Sequence, residues 1–121
     1  RAILNGLIAR LNAADPQQTQ LLQNYPNPFN PETWIPFELA ESQPIQIAIY
    51  SADGDLVRSL NLGELPAGSY LTPDRATYWD GQDQNGRRVS SGIYFYQLQS
   101  DGRLSSRLSS LSNPRKMIIV K

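Results

Sequence analysis

The chain has 121 residues, of which 40% are hydrophobic, and its 11 basic and 11 acidic residues give a formal net charge of zero. This size and composition are typical of one globular domain, and the neutral balance argues against nucleic acid or an anionic membrane as a partner. The sequence contains no cysteine and no histidine. Disulfides, thiolate metal sites and Ser-His-Asp or Cys-His catalysis are therefore excluded within this chain.

Neither a membrane-spanning helix nor a signal peptide is expected from the sequence. No apolar run approaches the ~20 residues that cross a bilayer, and Arg1 leads directly into an amphipathic pattern. An exported protein that contains this chain would therefore carry its signal upstream.

The first 14 residues are predicted to form an amphipathic helix. Apolar residues recur on one face at helical spacing: Ile3, Leu4, Leu7, Ile8 and Leu11. Asp15-Pro16 ends the pattern, because a residue that precedes proline avoids the helical region. We interpret residues 1–18 as a helical linker from an upstream domain and residues 19–121 as the folded module.

A proline-rich stretch, here called the entry segment (residues 24–31), follows a short strand predicted between Thr19 and Gln23. It reads Asn-Tyr-Pro-Asn-Pro-Phe-Asn-Pro. Its prolines fix φ and remove backbone donors, so neither a helix nor a central strand can form there. We predict structural roles for four of its residues, with the two aromatic rings closing an edge of the core: Tyr25, Pro26, Pro28 and Phe29.

After the entry segment the hydrophobic period becomes two, which indicates β-strands. A strand is predicted from Trp34 to Leu39, on an edge or beside a bulge because of Pro36. A half-buried strand over residues 45–50 is followed by an Asp-Gly turn and a returning strand from residue 56 to residue 62.

The second half of the chain alternates short strands with polar turns. Residues 65–70 are predicted to form a turn into a strand. Further strands are predicted over residues 77–79 and 93–98, and the turn between these two includes Gly81 and Gly86. A final strand, Met117–Val120, is apolar on both faces, so we expect it to lie inside a sheet and not at its edge. About seven short strands with turns every 8–12 residues predict an all-β, antiparallel two-sheet sandwich.

One local pattern occurs twice. Gly68 and Gly92 each precede a tyrosine by two positions, at the start of a predicted strand. We expect each glycine to adopt a backbone angle closed to other residues, and each tyrosine, Tyr70 or Tyr94, to lie on a fixed face of its strand.

Three possible functional sites in the sequence, a calcium loop, a catalytic carboxylate pair and a sugar-binding face, are each better explained as turns or core packing. Residues 80–86 resemble a calcium loop, but the first and twelfth ligand positions would be glycines, Gly81 and Gly92. The carboxylates lie mostly in predicted turns, which argues against a glycosidase pair. The strand aromatics, among them Trp79, are expected to fill the core more than to bind sugar. We therefore predict no catalytic residue, metal or other cofactor.

The entry segment, residues 33–39, the stretch from Tyr78 to Tyr94 and the ending Lys116–Lys121 together resemble the type A C-terminal sorting domains of the type IX secretion system. The stretch from Tyr78 to Tyr94 is also similar to the Ig-like domain of flagellar hook-capping proteins. The first block and the ending are the specific part of the likeness, which covers residues 21–121. The stretch between Ser100 and Arg115 is longer than this family leads us to expect, which bears on the register of the final strand.

The resemblance implies a seven-stranded Ig-like sandwich at the C-terminus of a secreted, multidomain bacterial protein, exported through the periplasm to the medium or the cell surface. Its implied partners are an outer-membrane translocon, a sortase-like peptidase and an upstream cargo domain in the same chain. By motif, the implied recognition residues are Gly92, Tyr94, Lys116, Met117, Ile118, Ile119, Val120 and Lys121.

Two other functions remain open on the sequence alone. The module could be an Ig-like accessory domain that packs against an upstream enzyme. It could also bind carbohydrate through exposed aromatic side chains, and the exposure of Trp79 and the tyrosines separates this reading from the others.

Overall fold

The computed structural model describes residues 16–101 and 108–121, and the regular elements within them are all β-strands. The helix predicted over residues 1–14 lies outside the described residues. The strands are β1 Gln20–Leu21, β2 Thr33–Ile35, β3 Phe37–Leu39, β4 Gln43–Ser51, β5 Leu56–Leu65, β6 Gly68–Tyr70, β7 Thr77–Trp79, β8 Gly92–Asp101, β9 Leu108–Ser110 and β10 Arg115–Ile119.

The strands form two antiparallel layers, as the alternating sequence predicts. One layer is a five-stranded sheet in the order β10-β8-β4-β5, with β9 also paired to β8. The facing layer consists of a three-stranded sheet, β1-β3-β6, and a two-stranded sheet, β2-β7. Tyr96 joins the layers, because its hydroxyl in β8 donates to the Leu22 carbonyl oxygen at 2.8 Å, just beyond β1.

The prediction of one continuous strand from Trp34 to Leu39 is wrong, because Pro36 divides it into β2 and β3. Proline has no N–H to continue a ladder. β2 pairs with β7, while β3 pairs with β1 and β6. The period of two nevertheless continues across the break, since Ile35, Phe37 and Leu39 are all fully buried.

The hairpin predicted around the Asp-Gly turn is confirmed in β4 and β5. Gly54 has a φ of +89°, and its amide donates to the Ser51 carbonyl oxygen at 2.9 Å. The β4–β5 register shifts twice, leaving Val57 and Leu62 without a partner in β4. These are β-bulges, which bend the outer strand of a sheet.

The expectation that the final strand lies inside a sheet is wrong in its topology. β10 is an end strand, which pairs only with β8 among the strands of its sheet. Met117 and Ile119 account for its apolar inner face, because they are buried in the core, and the entry segment lies along its outer edge.

The core lies between the two layers and is apolar and aromatic. Alternate residues of β4 and β8 contribute from one side, and β2, β3 and β7 contribute from the other. Its largest fully buried side chains are Trp79, Tyr96, Phe37, Ile35, Leu39, Ile45, Ile47, Ile49, Leu98, Met117 and Ile119. Burial of this apolar surface is the main stabilising contribution to the sandwich.

Candidate functional site

The residues predicted to carry recognition lie together where β8 pairs with β10. The register places Met117 opposite Tyr94 and Ile119 opposite Gly92. Beyond the strand, the Lys121 amide donates to the Ser91 hydroxyl oxygen at 3.1 Å. Two stretches separated by more than twenty residues in sequence thus form one edge of the sandwich.

Alternation along β10 divides these residues into a buried set and an accessible set. Met117 and Ile119 are 0% and 1% exposed, and Tyr94 is also buried. A partner cannot contact these three without unfolding the edge. The accessible set, here called the outer strip, consists of Ile93, Lys116, Ile118, Val120 and Lys121.

The outer strip combines charge with exposed apolar surface. Its two lysines are the only lysines in the whole sequence. Ile93 and Val120 are 43% and 49% exposed, which makes them two of the most exposed large apolar side chains in the described residues. The outer strip thus presents apolar and positively charged side chains together at the surface.

The positive φ expected for Gly92 is confirmed, and the repeated Gly-x-Tyr pattern has a clear structural basis. Gly92 and Gly68 have φ values of +152° and +150°. The Tyr94 hydroxyl donates to the Ser90 carbonyl oxygen at 2.8 Å, and the Tyr70 hydroxyl donates to that of Pro66 at 2.6 Å. Each tyrosine therefore fastens the turn that precedes its own strand, as in the tyrosine corner of β-sandwiches. Gly92 and Tyr94 accordingly position the edge, and Gly92 is also exposed on it.

The entry segment covers the outer edge of β10 with hydrogen bonds. Phe29 donates its amide to the Ile118 carbonyl oxygen and accepts from the Val120 amide, both at 3.0 Å. The Asn27 Oδ1 atom accepts from the Ile118 amide at 2.9 Å. Just before the segment, Gln23 Nε2 donates to the Lys116 carbonyl oxygen at 3.0 Å. The edge of β10 is thus completed by residues about 90 positions earlier in the chain.

A buried polar network holds the start of the entry segment in place. Asn24 is 2% exposed, and its Nδ2 atom donates to Thr33 Oγ1 at 3.0 Å and to the Pro26 carbonyl oxygen at 3.2 Å. The Asn24 amide donates to the Tyr96 hydroxyl oxygen at 2.8 Å. Burial raises the pKa of Tyr96, against the lowering effect of that amide. These bonds satisfy groups that would be costly to bury unpaired.

The predicted structural aromatics occupy two environments. Phe29 is 2% exposed, and its ring centroid lies 5.7 Å from that of Trp79 in the core. Trp79 also meets Tyr94, with centroids 6.2 Å apart, and its Nε1 donates to the Gln82 carbonyl oxygen at 2.9 Å. Tyr25 is only half-buried and stacks on Trp34 outside the core. The expectation that both rings close the core edge therefore holds for Phe29 and only in part for Tyr25.

Pro26 and Pro28 lie at the exposed surface of the entry segment, where the peptide bonds that precede them are cis. Pro31 instead packs against the turn that follows β7. A Cβ atom placed on Gly81 would lie 2.5 Å from the Pro31 carbonyl oxygen, and Gly81 has a φ of +77°. Gly81 is therefore required both by its own conformation and by its contact with the entry segment.

The polar turn of residues 80–86 is organised by Asp83. Its carboxylate accepts from the Arg87 amide at 3.0 Å and from the Asn85 amide at 2.9 Å. These backbone bonds, that of Arg87 foremost, lower the pKa of Asp83. Gly86 supports the turn with a φ of +81°, and its backbone amide donates a hydrogen bond to the Asp83 carbonyl oxygen at 3.0 Å. Within the described residues, no group of three or more Asp, Glu, His or Cys is arranged to hold a metal ion.

Most of the aromatic side chains considered for sugar binding are buried, among them Tyr70, Trp79, Tyr94 and Tyr96. Tyr78 is 47% exposed, and its ring lies 5.5 Å from that of Trp34. Its hydroxyl donates to Glu32 Oε2 at 2.7 Å, and this bond raises the pKa of Tyr78.

Sequence reasoning identified the β10 strand, Gly92 and the entry segment, but it missed Asn24, Asn27 and Thr33. Asparagine beside proline is also the ordinary composition of an exposed turn. Nothing in the local sequence distinguishes a buried Asn24 or an edge-covering Asn27 from such a turn.

Two antiparallel layers, tyrosine-fastened strand entries and a common aromatic core define the chain as an immunoglobulin-like β-sandwich. The model of the FlgD Ig-like domain family matches residues 35–103, more than half of the chain, and the chain belongs to this family. No curated protein matches the chain. Among the described residues, no helix is long and apolar enough to span a membrane.

Solved structures similar to this chain include PorU and FlgD. Dimeric latent PorU from Porphyromonas gingivalis aligns with a TM-score of 0.64 and 19% identity, over 84% of this chain and 9% of PorU. FlgD from P. aeruginosa aligns with a TM-score of 0.50 and 26% identity, over 67% of this chain and 57% of FlgD. The chain thus corresponds to part of each of these proteins, and PorU shares the fold.

Proposed function

We propose that this domain is a non-catalytic sorting module, placed at the C-terminus of a secreted multidomain bacterial protein and read by the type IX secretion machinery. In this proposal residues 1–18 link it to an upstream cargo domain. The outer-membrane translocon binds the folded domain after its passage through the periplasm. A sortase-like peptidase then separates it from the cargo, which is released or attached to the cell surface.

One observation carries this proposal. The two stretches with the specific likeness to sorting domains, the entry segment and the Lys116–Lys121 strand, lie at opposite ends of the module in sequence and against each other in space. Phe29 exchanges two backbone hydrogen bonds with Ile118 and Val120. A signal read on a folded carrier requires a stable edge with accessible side chains, and this arrangement supplies one.

The accessible part of the proposed signal is the outer strip. Lys116 and Lys121 are exposed, and their charges suit a partner surface that carries carboxylates. Exposed Val120 and Ile93 supply the apolar contact. Met117, Ile119 and Tyr94 act through the fold, because they are buried.

The test is export of a reporter fused to the 121-residue chain in a host with a type IX system, with an N-terminal signal for entry into the periplasm. The unaltered fusion is expected in the medium or on the surface. The double variant K116E/K121E is expected to stay in the periplasm, because it reverses both charges of the outer strip. Retention should equal that of a fusion lacking residues 116–121.

The matched control is R87E/R88E, which makes the same change of net charge at exposed positions of the 80–90 region. Surface substitutions of this kind change stability by about 0.5 kcal/mol or less, and equal melting temperatures would establish that both variants fold. Retention of the unaltered fusion, or equal export of both double variants, would reject the proposal.

A second candidate is an accessory module that binds carbohydrate. The exposed ring of Tyr78, continued by Trp34 and Tyr25, is the observation in its favour. Binding of polysaccharide by the unaltered chain and its loss in Y78A would support this function, whereas K116E/K121E would leave it unchanged.

A further inference from the structure

The five-stranded sheet ends in β5 on one side and in β10, with β9 also paired to β8, on the other, and the chain protects the edges of β5 and β10 unequally. The edge of β10 is covered by the entry segment. The edge of β5 is covered in its first half by the turn after β7. There the Gln84 amide donates to the Val57 carbonyl oxygen at 3.0 Å, and Gln84 Oε1 accepts from the Ser59 amide at 2.9 Å. In the described part of the chain, this cover ends at Ser59.

The next outward-facing position of β5 is Asn61. Backbone groups of an antiparallel strand alternate in direction, so the amide of Asn61 faces outward like that of Ser59. Asn61 is exposed, and its Oδ1 atom accepts a hydrogen bond from the Gly63 amide at 3.1 Å. The strand therefore offers backbone groups to a further strand beside residues 60–62.

A groove of about 480 Å³ lies beside this part of the edge, between β5 and residues 75–78. Apolar side chains from both layers line it: Phe37, Leu60, Leu62, Leu65 and Tyr70. The charged residues lining it are Arg58 and Arg75, and no carboxylate is among its lining residues. The groove thus combines apolar side chains with polar ones, among them Thr77 and Gln84, and both of its charged residues are arginines.

The two arginines are used differently. Arg58 is held by Asp80 Oδ1 at 3.5 Å and by the Gln82 carbonyl oxygen at 3.0 Å. Arg75 lies over the Tyr70 ring, with its Cζ atom 4.7 Å from the ring centroid, and forms no ion pair within the described residues. The guanidinium of Arg75 can therefore donate hydrogen bonds to the carboxylate of a partner while remaining stacked on the ring.

We propose that this groove binds an extended peptide of a partner protein, which adds as a strand to β5 beside residues 60–62. Alternate apolar side chains of the peptide fill the groove, and a carboxylate on the same face pairs with Arg75. Strand addition provides main-chain hydrogen bonds, and the groove selects the side chains. This edge is opposite β10 in the sheet, so the proposal is independent of the sorting role.

The probe is the capped peptide Thr-Val-Thr-Glu-Thr-Val-Thr-Val-Thr, titrated into the isotope-labelled 121-residue chain by NMR. We expect saturable shifts confined to residues 59–62 and 75–78. The peptide with glutamine in place of glutamate should bind about tenfold more weakly, as should R75Q with the original peptide, because each removes one charge-assisted hydrogen-bonded contact.

Asn61→Pro is the backbone variant, since it removes the outward amide and an edge strand tolerates proline at such a position. It should abolish binding, with a melting temperature lowered only by the loss of the bond from the Gly63 amide to Asn61 Oδ1. If it unfolds the chain, R75Q and the glutamine peptide decide the outcome. R88Q is the control: it removes one positive charge at an exposed position outside the groove and should bind normally.

Three results would overturn the proposal. The first is the absence of saturable shifts at residues 59–62. The second is tighter binding of an acidic oligosaccharide such as oligogalacturonate in the same groove. The third is self-association of the chain through β5, seen by sedimentation as a dimer that N61P abolishes.

Discussion

At the residue scale, Gly81 is the position where the sequence and the tertiary structure constrain each other most tightly. Its φ of +77° is closed to most residues, and the Pro31 carbonyl oxygen leaves no space for a Cβ atom. Gly54 has a similar φ of +89° but has no atom within 4 Å of such a Cβ. Comparing substitutions at these two glycines therefore distinguishes the cost of the backbone conformation from the cost of the close contact with Pro31.

Gly81→Ala is expected to destabilise the chain more than Gly54→Ala. The backbone conformation alone costs about 1–2 kcal/mol at either site. At residue 81 the displacement of Pro31 should add about 1–3 kcal/mol. Urea unfolding at equal m-values measures the difference, and equal losses at the two sites would contradict the close approach of the entry segment to this turn.

Tyr96 is the buried residue whose hydroxyl connects the two layers. Tyr96→Phe leaves the Asn24 amide and the Leu22 carbonyl oxygen without this partner, which should cost about 1–3 kcal/mol. Because burial raises the pKa of Tyr96 above its ordinary value of 10.0, the unfolded chain loses this proton first. The stability that the protonated Tyr96 hydroxyl contributes is fully present below pH 10 and is lost as the pH rises through the pKa of the folded state.

Unfolding free energies between pH 8 and pH 11 measure this effect. The unaltered chain should lose more stability above pH 10 than Y96F, since the other tyrosines are common to both proteins. Parallel curves would mean that the Tyr96 hydroxyl is not buried between the layers.

Individual residues were predictable where one local rule decides their state. The positive φ of Gly92 follows from its place before a strand, and the burial of Trp79 and Phe29 follows from their size. The burial of Asn24 depends on Tyr96, which lies 72 residues further along the chain. No local pattern carries that information, because short polar residues beside proline are typical of exposed turns.

At the scale of elements, alternation identified the strands but not always their partners. β4, β5, β7 and β8 were predicted with their turns, because apolar and polar residues alternate clearly there. The stretch from Trp34 to Leu39 keeps one alternating pattern while Pro36 divides it between two sheets. Residues on one face of a strand remain on that face when the ladder changes, so the pattern alone could not reveal the break.

The final strand illustrates the opposite error. Apolar residues on both faces of β10 predicted an interior position, which is the usual reason for such a composition. In the structure β10 is an end strand: the entry segment covers its edge, while Val120 on its outer face is 49% exposed. Edge strands need such protection against pairing with other chains.

At the scale of the whole molecule, turn spacing was enough to predict the antiparallel sandwich. Regular turns and short alternating strands leave few other architectures for a chain of this length. The pairing of the first and last parts of the module was not predictable, because it depends on contacts between residues about 90 positions apart. That pairing gathers the candidate recognition residues at one edge.

The pairing of the entry segment with β10 is tested most directly by amide hydrogen exchange of Ile118 and Val120. Their amides donate to Asn27 Oδ1 and to the Phe29 carbonyl oxygen. We expect slow exchange at both in the unaltered chain. In Asn27→Ala, exchange at Ile118 should become fast, while the Ile119 amide, which faces β8, stays slow. Fast exchange at Ile118 and Val120 in the unaltered chain, beside a slow Ile119, would contradict the joining of these two parts into one edge.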